Sequence, residues 1–187
     1  LAAFKIFHER HPEAILITAW QNAWPKSASG MSASRHIETE PEINNNGELK
    51  IKDWAVTNGV PENAFIDLGW VANGRTAKIL RDMNVGVFPN RCEGGTNLVA
   101  MEAMACGVPC ILSANTGHLD IITQDNCFAL DDQRPLTEPN SRTSMWRESQ
   151  VEQIVEQLEK IYTDRTGARQ NGEAGVTFMS KLSWQNQ

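Results

Sequence analysis

The stretch from Val85 to Asp120, VGVFPNRCEGGTNLVAMEAMACGVPCILSANTGHLD, is where residue types and spacing converge on chemistry. A short apolar run, Val85 to Phe88, is stopped by Pro89. Two consecutive glycines, Gly94 and Gly95, follow, and Thr96 or Asn97 then offers a short polar side chain to cap a helix. A strand, a glycine-rich turn and a helix start present free backbone N–H groups at the carboxyl edge of a parallel sheet. Such a place holds anions, phosphates above all, through those N–H groups and the helix dipole. Ligands of open α/β sheets bind at that edge. The same pattern also describes an ordinary tight turn from strand to helix.

Glu102 is the second feature. From Leu98 to Cys106 the helix reads LVAMEAMAC, in which eight of nine residues are apolar or small. That composition predicts a helix buried on most sides, with one carboxylate in its middle. A buried charge is costly unless it is paired or hydrogen-bonded. Glu102 therefore either faces a narrow strip of solvent or accepts hydrogen bonds from a ligand. The vicinal hydroxyls of a ribose suit it, since two O–H donors can meet two carboxylate oxygens. Glu93, beside the glycines, is either a loop carboxylate in water or an acceptor for a sugar hydroxyl. His118, in T-G-H-L-D, either meets a ligand or caps a helix. No D-x-D, no G-x-S-x-G and no P-loop lysine motif occurs. His8, His11 and His36 are scattered, and the acidic run Glu38–Glu42 reads as solvated.

The elements that must position these residues alternate. The expected strands are Ala14–Trp20, Leu49–Ile51, Phe65–Gly69, Val85–Phe88, Pro109–Ser113 and Cys127–Leu130. The expected helices are Leu1–His11, Asp53–Asn58, Arg75–Met83, Asn97–Cys106 and Thr116–Ile122. In the third of these, Ala77, Ile79 and Leu80 are expected towards a core. Strands alternating with helices through short connections predict an α/β fold, an open and mostly parallel Rossmann-like sheet with helices on both faces. Gln21 to Asn46 reads as a long polar loop, and residues 132–150 as another. Val151 to Tyr162 places Val151, Ile154, Val155, Leu158 and Ile161 on one face of an amphipathic helix. A final helix is expected from near Gly175 to the end. The whole chain, 1–187, reads as a single domain that begins inside a fold, with helices over 151–187.

Composition narrows the function classes. With 187 residues and 41% hydrophobic content the chain can bury a core. A net charge of −6 argues against a nucleic-acid partner, which needs clustered Lys and Arg. No segment approaches the ~20 apolar residues of a membrane span. Cys92, Cys106, Cys110 and Cys127 form no C-x-x-C pair, which fits reduced, packed thiols in a cytoplasmic protein.

The segment Glu93 to Pro109, EGGTNLVAMEAMACGVP, resembles the donor-site signature of the retaining GT-B glycosyltransferases of family GT4, the glycosyl transferases group 1. The resemblance extends to Gly69-Trp70-Val71, to the Val85–Pro89 strand and to the Ser113–Gly117 turn, and covers about Leu1 to Leu130. It implies the donor-binding C-terminal lobe of an enzyme that moves a hexose from a nucleoside diphosphate sugar. The acceptor, a sugar, lipid or protein, would be held by an N-terminal lobe. Glu102 would hold the ribose hydroxyls. Glu93 would contact the hexose as the catalytic carboxylate. Backbone groups of Gly94, Gly95, Thr96, Asn97 and Leu98 would hold hexose and diphosphate oxygens, and Trp70 and Val71 would lie beside the base. No cofactor and no metal is implied. Membrane association, peripheral and at the inner face, would come through the other lobe. Two departures stand out. The family usually has seven residues between its two glutamates, whereas Glu93 and Glu102 enclose eight, residues 94–101. The family's diphosphate-neutralising Arg and Lys would lie before Leu1, which leaves Arg91 as a candidate to lean towards the phosphates. Two other activities fit the same residues: a nucleotide-sugar epimerase of the same architecture, and a non-catalytic module that binds a nucleotide sugar.

Overall fold

The computed structural model describes residues 1–28, 31, 34, 36–136 and 143–183. The chain divides into two compact units, Leu1–Ala72 and Asn73–Gln187.

The first unit opens with helix α1 (Ala2–Arg10), which buries Ala3 and Phe7. Strands β1 (Leu16–Thr18) and β2 (Phe65–Asp67) pair in parallel, Leu16 opposite Phe65 and Thr18 opposite Asp67. Helix α2 (Ile51–Thr57) supplies the core with Ile51 and Ala55, which pack with Leu49, Val60 and Phe65. Leu49–Ile51 is not a strand: Leu49 makes a lone bridge to Ile43, and Ile51 already begins α2. Gly59 closes α2 at φ +85°, a left-handed geometry that favours glycine. The long polar segment carries a short 3-10 helix, Pro25–Ala28. Side chains anchor its two ends. The Gln21 amide copies a backbone pair, donating to the Leu49 carbonyl (2.6 Å) and accepting from the Leu49 N–H (3.0 Å). The Trp54 indole donates to the Thr39 carbonyl at 2.6 Å.

The second unit carries helix α3 (Asn73–Arg81), strand β3 (Gly86–Phe88), helix α4 (Leu98–Ala105), strand β4 (Cys110–Ser113) and strand β5 (Phe128–Leu130). The three strands form a parallel sheet in the order β3-β4-β5. Gly86 faces Cys110 on one side of β4, and Ile111 faces Phe128 on the other. All four residues of β4 are buried, as a central strand covered on both faces requires. In α3, Leu80 packs on the core with Met83 after it, while Ala77 is exposed, against expectation.

Residues 132–150 are not simply a loop. Strands β6 (Gln133–Pro135) and β7 (Arg147–Ser149) pair antiparallel, Arg134 opposite Glu148. The middle of that segment, 137–142, lies outside the described residues.

Helix α5 (Val151–Thr163) buries Ile154, Val155, Leu158 and Ile161, the expected stripe. Helix α6 (Arg165–Ser180) begins ten residues before the expected Gly175. Asp164 caps it, its carboxylate accepting from the Gly167 N–H at 2.8 Å. One glycine of this helix is a contact point. A Cβ on Gly172 would stand 2.3 Å from the Gly107 carbonyl oxygen, so only glycine lets α6 approach the end of α4. The expected end of this helix, 184–187, lies outside the described residues. The core gathers Ala100, Ala103, Met104, Val108, Cys110, Leu112, Ile121, Cys127 and Met179. All four cysteines are free thiols. Burial pushes the Cys127 thiol up to about 11 and the Cys110 thiol higher still, so both stay protonated.

Candidate functional site

Parallel strands bring their carboxyl ends to one edge, and here side chains tie the three ends together. The Ser113 hydroxyl at the end of β4 donates to the Asn90 carbonyl after β3 at 2.7 Å. The Asn115 amide donates to the same carbonyl (2.9 Å) and to the Gln133 side chain after β5 (2.8 Å). This frame carries the Glu93–Asn97 turn.

The turn is fixed from three sides. The Glu93 N–H donates to the Thr116 hydroxyl at 2.8 Å. The Glu93 carboxylate Oε1 accepts from the Asn90 amide (2.6 Å) and the Asn97 amide (3.1 Å). Asn97 is the N-cap of α4, its Oδ1 accepting from the Ala100 N–H at 3.1 Å. Against the turn lies the 3-10 helix Thr116–Asp120, the short helix expected over Thr116–Ile122. A Cβ on Gly117 would fall 1.5 Å from the Gly95 carbonyl oxygen, so the two backbones touch. Thr116 holds φ +39°, a left-handed conformation unusual for a β-branched residue, and its hydroxyl is the one that meets Glu93.

One consequence is a row of unsatisfied donors. Among the described residues the N–H groups of Gly94, Gly95, Thr96, Asn97, Leu98 and Val99 find no protein acceptor. They run through the turn into the N-terminus of α4, the positive end of its dipole. The arrangement can hold an anion or several ligand oxygens.

The expected site residues fall into three groups. Glu93, Gly94, Gly95, Thr96, Asn97 and Leu98 form the turn and helix start. Glu102 follows on α4, four residues after Leu98 on the same face, but it is not buried. The outward face of α4 is open, with Leu98 at 69% and Val99 at 54% exposure, which corrects the expectation of a helix buried on most sides. The Glu102 side chain has no partner among the described residues. Trp70 and Val71 belong to the first unit, just after β2, where Trp70 is 60% exposed.

Arg91 is engaged by the second unit's strand pair. Its guanidinium is paired with Glu148 on β7, and its carbonyl accepts from the Arg147 N–H at 2.9 Å. The strand pair that the sequence hid as loop thus supplies the carboxylate that takes this arginine. His118 neither caps a helix through its side chain nor faces solvent. It is fully buried, with Nδ1 at 3.0 Å from both the Ser113 hydroxyl and carbonyl and Nε2 at 3.2 Å from the Asn97 amide nitrogen. Sequence reasoning missed Asn90, Asn115 and Ser113 as parts of the site, because their partners come from other loops. Among the described residues no group of three or more His, Cys, Asp or Glu could hold a metal, and no helix is long and apolar enough to cross a membrane.

Comparison with solved structures places this fold among glycosyltransferases. The C-terminal domain of LpcC, a glycosyl transferase group 1 protein from Francisella tularensis, matches with TM-score 0.63 at 14% identity, over 96% of this chain and 75% of that one. Sucrose-phosphate synthase from Thermosynechococcus elongatus matches with TM-score 0.57 at 23% identity, over 73% of this chain. HepE from Anabaena, solved with UDP, matches with TM-score 0.51 at 15% identity, over 71% of this chain and 31% of that one. The chain spans 30% of the length of the sucrose-phosphate synthase. No curated protein matches it. At these identities the likeness is one of fold. The model of the glycosyl transferases group 1 family, however, matches residues 38–164, more than half of the sequence, and the chain belongs to that family.

Proposed function

We propose that this chain is the donor-binding domain of a retaining glycosyltransferase, and that it holds a nucleoside diphosphate sugar at the N-terminus of α4. The observation that carries the reading is the row of N–H groups from Gly94 to Val99 without protein acceptors, at the carboxyl edge of a parallel sheet. They supply donors to diphosphate and hexose oxygens. Glu102, exposed and unpartnered on the same helix, accepts the ribose hydroxyls. Glu93 presents Oε2, which has no partner among the described residues, to a hexose hydroxyl. Arg91 stays with Glu148 and leaves the diphosphate to backbone dipoles and to groups of the rest of the enzyme.

In this reading an acceptor hydroxyl from a second lobe attacks the anomeric carbon on the face the diphosphate leaves. The anomeric C–O bond to the diphosphate breaks as the new glycosidic bond forms, and the leaving diphosphate takes the proton. The site stabilises the charge that develops on it. No metal takes part, and the enzyme works in the cytoplasm, with any membrane contact made by the acceptor lobe. The free cysteines agree with a reducing compartment.

The test is a thermal-shift titration against UDP, GDP and ADP, repeated with Glu102→Ala. A ligand at ~100 times its dissociation constant stabilises by about 2.7 kcal/mol, on the order of 5 °C or more for a chain of this size. A shift with one nucleotide, lost in the variant, supports the reading and names the base. Silence with all three contradicts it.

A further inference from the structure

His118 is the buried titratable group that the proposed chemistry leaves unused, and its hydrogen bonds determine its protonation without reference to any titration. The Ala100 N–H can only donate, so the Asn97 atom facing it is the carbonyl oxygen. The Asn97 atom facing Glu93 Oε1 and His118 Nε2 is then the amide nitrogen, with one hydrogen for each. Nε2 must therefore accept, and the ring's single hydrogen resides on Nδ1. That hydrogen points at the Ser113 carbonyl and at the Ser113 hydroxyl, which spends its own hydrogen on Asn90. Every donor has an acceptor in this one arrangement and in no other.

We propose that His118 is a positioning residue of the donor site: its neutral ring, with the Nε2 lone pair towards Asn97, locks the Asn97 amide and through it the Glu93 carboxylate. The inference rests on the donor-site reading above and extends it to a residue that touches no substrate. A proton on Nε2 would set two donors against each other. The Asn97 amide would then have to turn, taking its oxygen from the Ala100 N–H and its hydrogen from Glu93.

The groups around the ring agree. From β4 it meets Ser113, and from the cap of α4 it meets Asn97, both uncharged. Glu93, from the turn before α4, is the charged group facing it. Asp120, on the same 3-10 helix, is exposed. Burial lowers the ring's pKa from 6.5, against the Ser113 carbonyl and Glu93, which both favour the proton.

The experiment measures binding of UDP and of UDP-glucose to the intact protein and to two variants, with the GDP or ADP pair in their place if one of those is the nucleotide that binds. His118→Leu removes the acceptor and keeps the bulk; His118→Gln can return an acceptor oxygen. Because Glu93 serves the hexose, His118→Leu should weaken UDP-glucose by about tenfold while leaving UDP within about twofold. His118→Gln should recover part of the loss. As pH falls below 6.5, the direction in which burial moves the ring's pKa, UDP-glucose should weaken relative to UDP more in the wild type than in His118→Gln. Titration of the nucleotide phosphate is common to both proteins and cancels. Equal weakening of both ligands by His118→Leu would make the ring ordinary core and overturn the proposal, as would nitrogen NMR showing the hydrogen on Nε2. A wild type that binds none of the nucleotides or their glucose conjugates would sink the donor-site reading itself, and this inference with it.

Discussion

Glu102 and Glu93 are both carboxylates of the candidate site, and they stand under opposite constraints. Glu102 is exposed and its side chain holds nothing. Glu102→Ala should therefore change folding stability by no more than about 0.5 kcal/mol, while nucleotide affinity falls by about tenfold or more with the loss of a charged acceptor. Calorimetric unfolding and a binding titration on the same preparation separate the two effects. Glu93 takes two amides from the frame and is part of the architecture. The sequence exposes both residues to view, because a carboxylate in an apolar helix and another beside two glycines are local anomalies. It does not expose Asn90, Ser113 or Asn115. Those are ordinary polar residues until the ends of three strands bring them together. The pairing of Arg91 was hidden for the same reason: its partner Glu148 lies far along the chain, in a segment with no strand pattern.

At the scale of elements, two glycines make complementary tests. Gly117→Ala would drive a methyl into the Gly95 carbonyl oxygen, and neither backbone can yield without moving the turn. Donor affinity should fall by about tenfold or more while circular dichroism keeps its helical content. Gly172→Ala should spare ligand binding, because it acts where α6 crosses the end of α4. Overpacking there should lower stability by about 1–3 kcal/mol, read as an earlier midpoint in urea. The alternation of strands and helices from β2 to β5 was legible because each strand is a short, largely apolar run set off from the next helix by residues such as Gly69 and Pro89. Helix α6 was not, since Gly167, Gly172 and Gly175 argue against a helix, and the surface on which Gly172 and Gly175 are buried offsets that preference. Strands β6 and β7 are three residues each, too short to show a period.

For the molecule as a whole, acidity should act through His118. Its pKa is lowered in the folded chain, so below 6.5 the unfolded chain binds the proton more readily. Its contribution is complete above pH 6.5 and is lost as pH falls from there towards the folded-state value, below which the dependence levels off. The slope of stability against pH in that window should shrink in His118→Gln, as urea unfolding at several pH values would show. The family match spans parts of both compact units, which agrees with a chain whose sequence signature is longer than either site motif.

The closed circuit of hydrogen bonds among Glu93, Asn97, His118, Ser113 and Asn90, with Thr116 joined to it through Glu93, has a consequence in time as well as in geometry. None of its members can let go alone without stranding a donor in the interior, so the glycine turn, the first turn of α4 and the Thr116–Asp120 helix should open as one cooperative unit. The amide hydrogens of Glu93 and Ala100, which bond to Thr116 and Asn97, should exchange with deuterium at matching opening free energies, although they lie in different elements. Independent rates for the two would mean that the circuit breaks piecemeal. A bound nucleotide sugar, gripping the turn from outside, should slow both by the same factor.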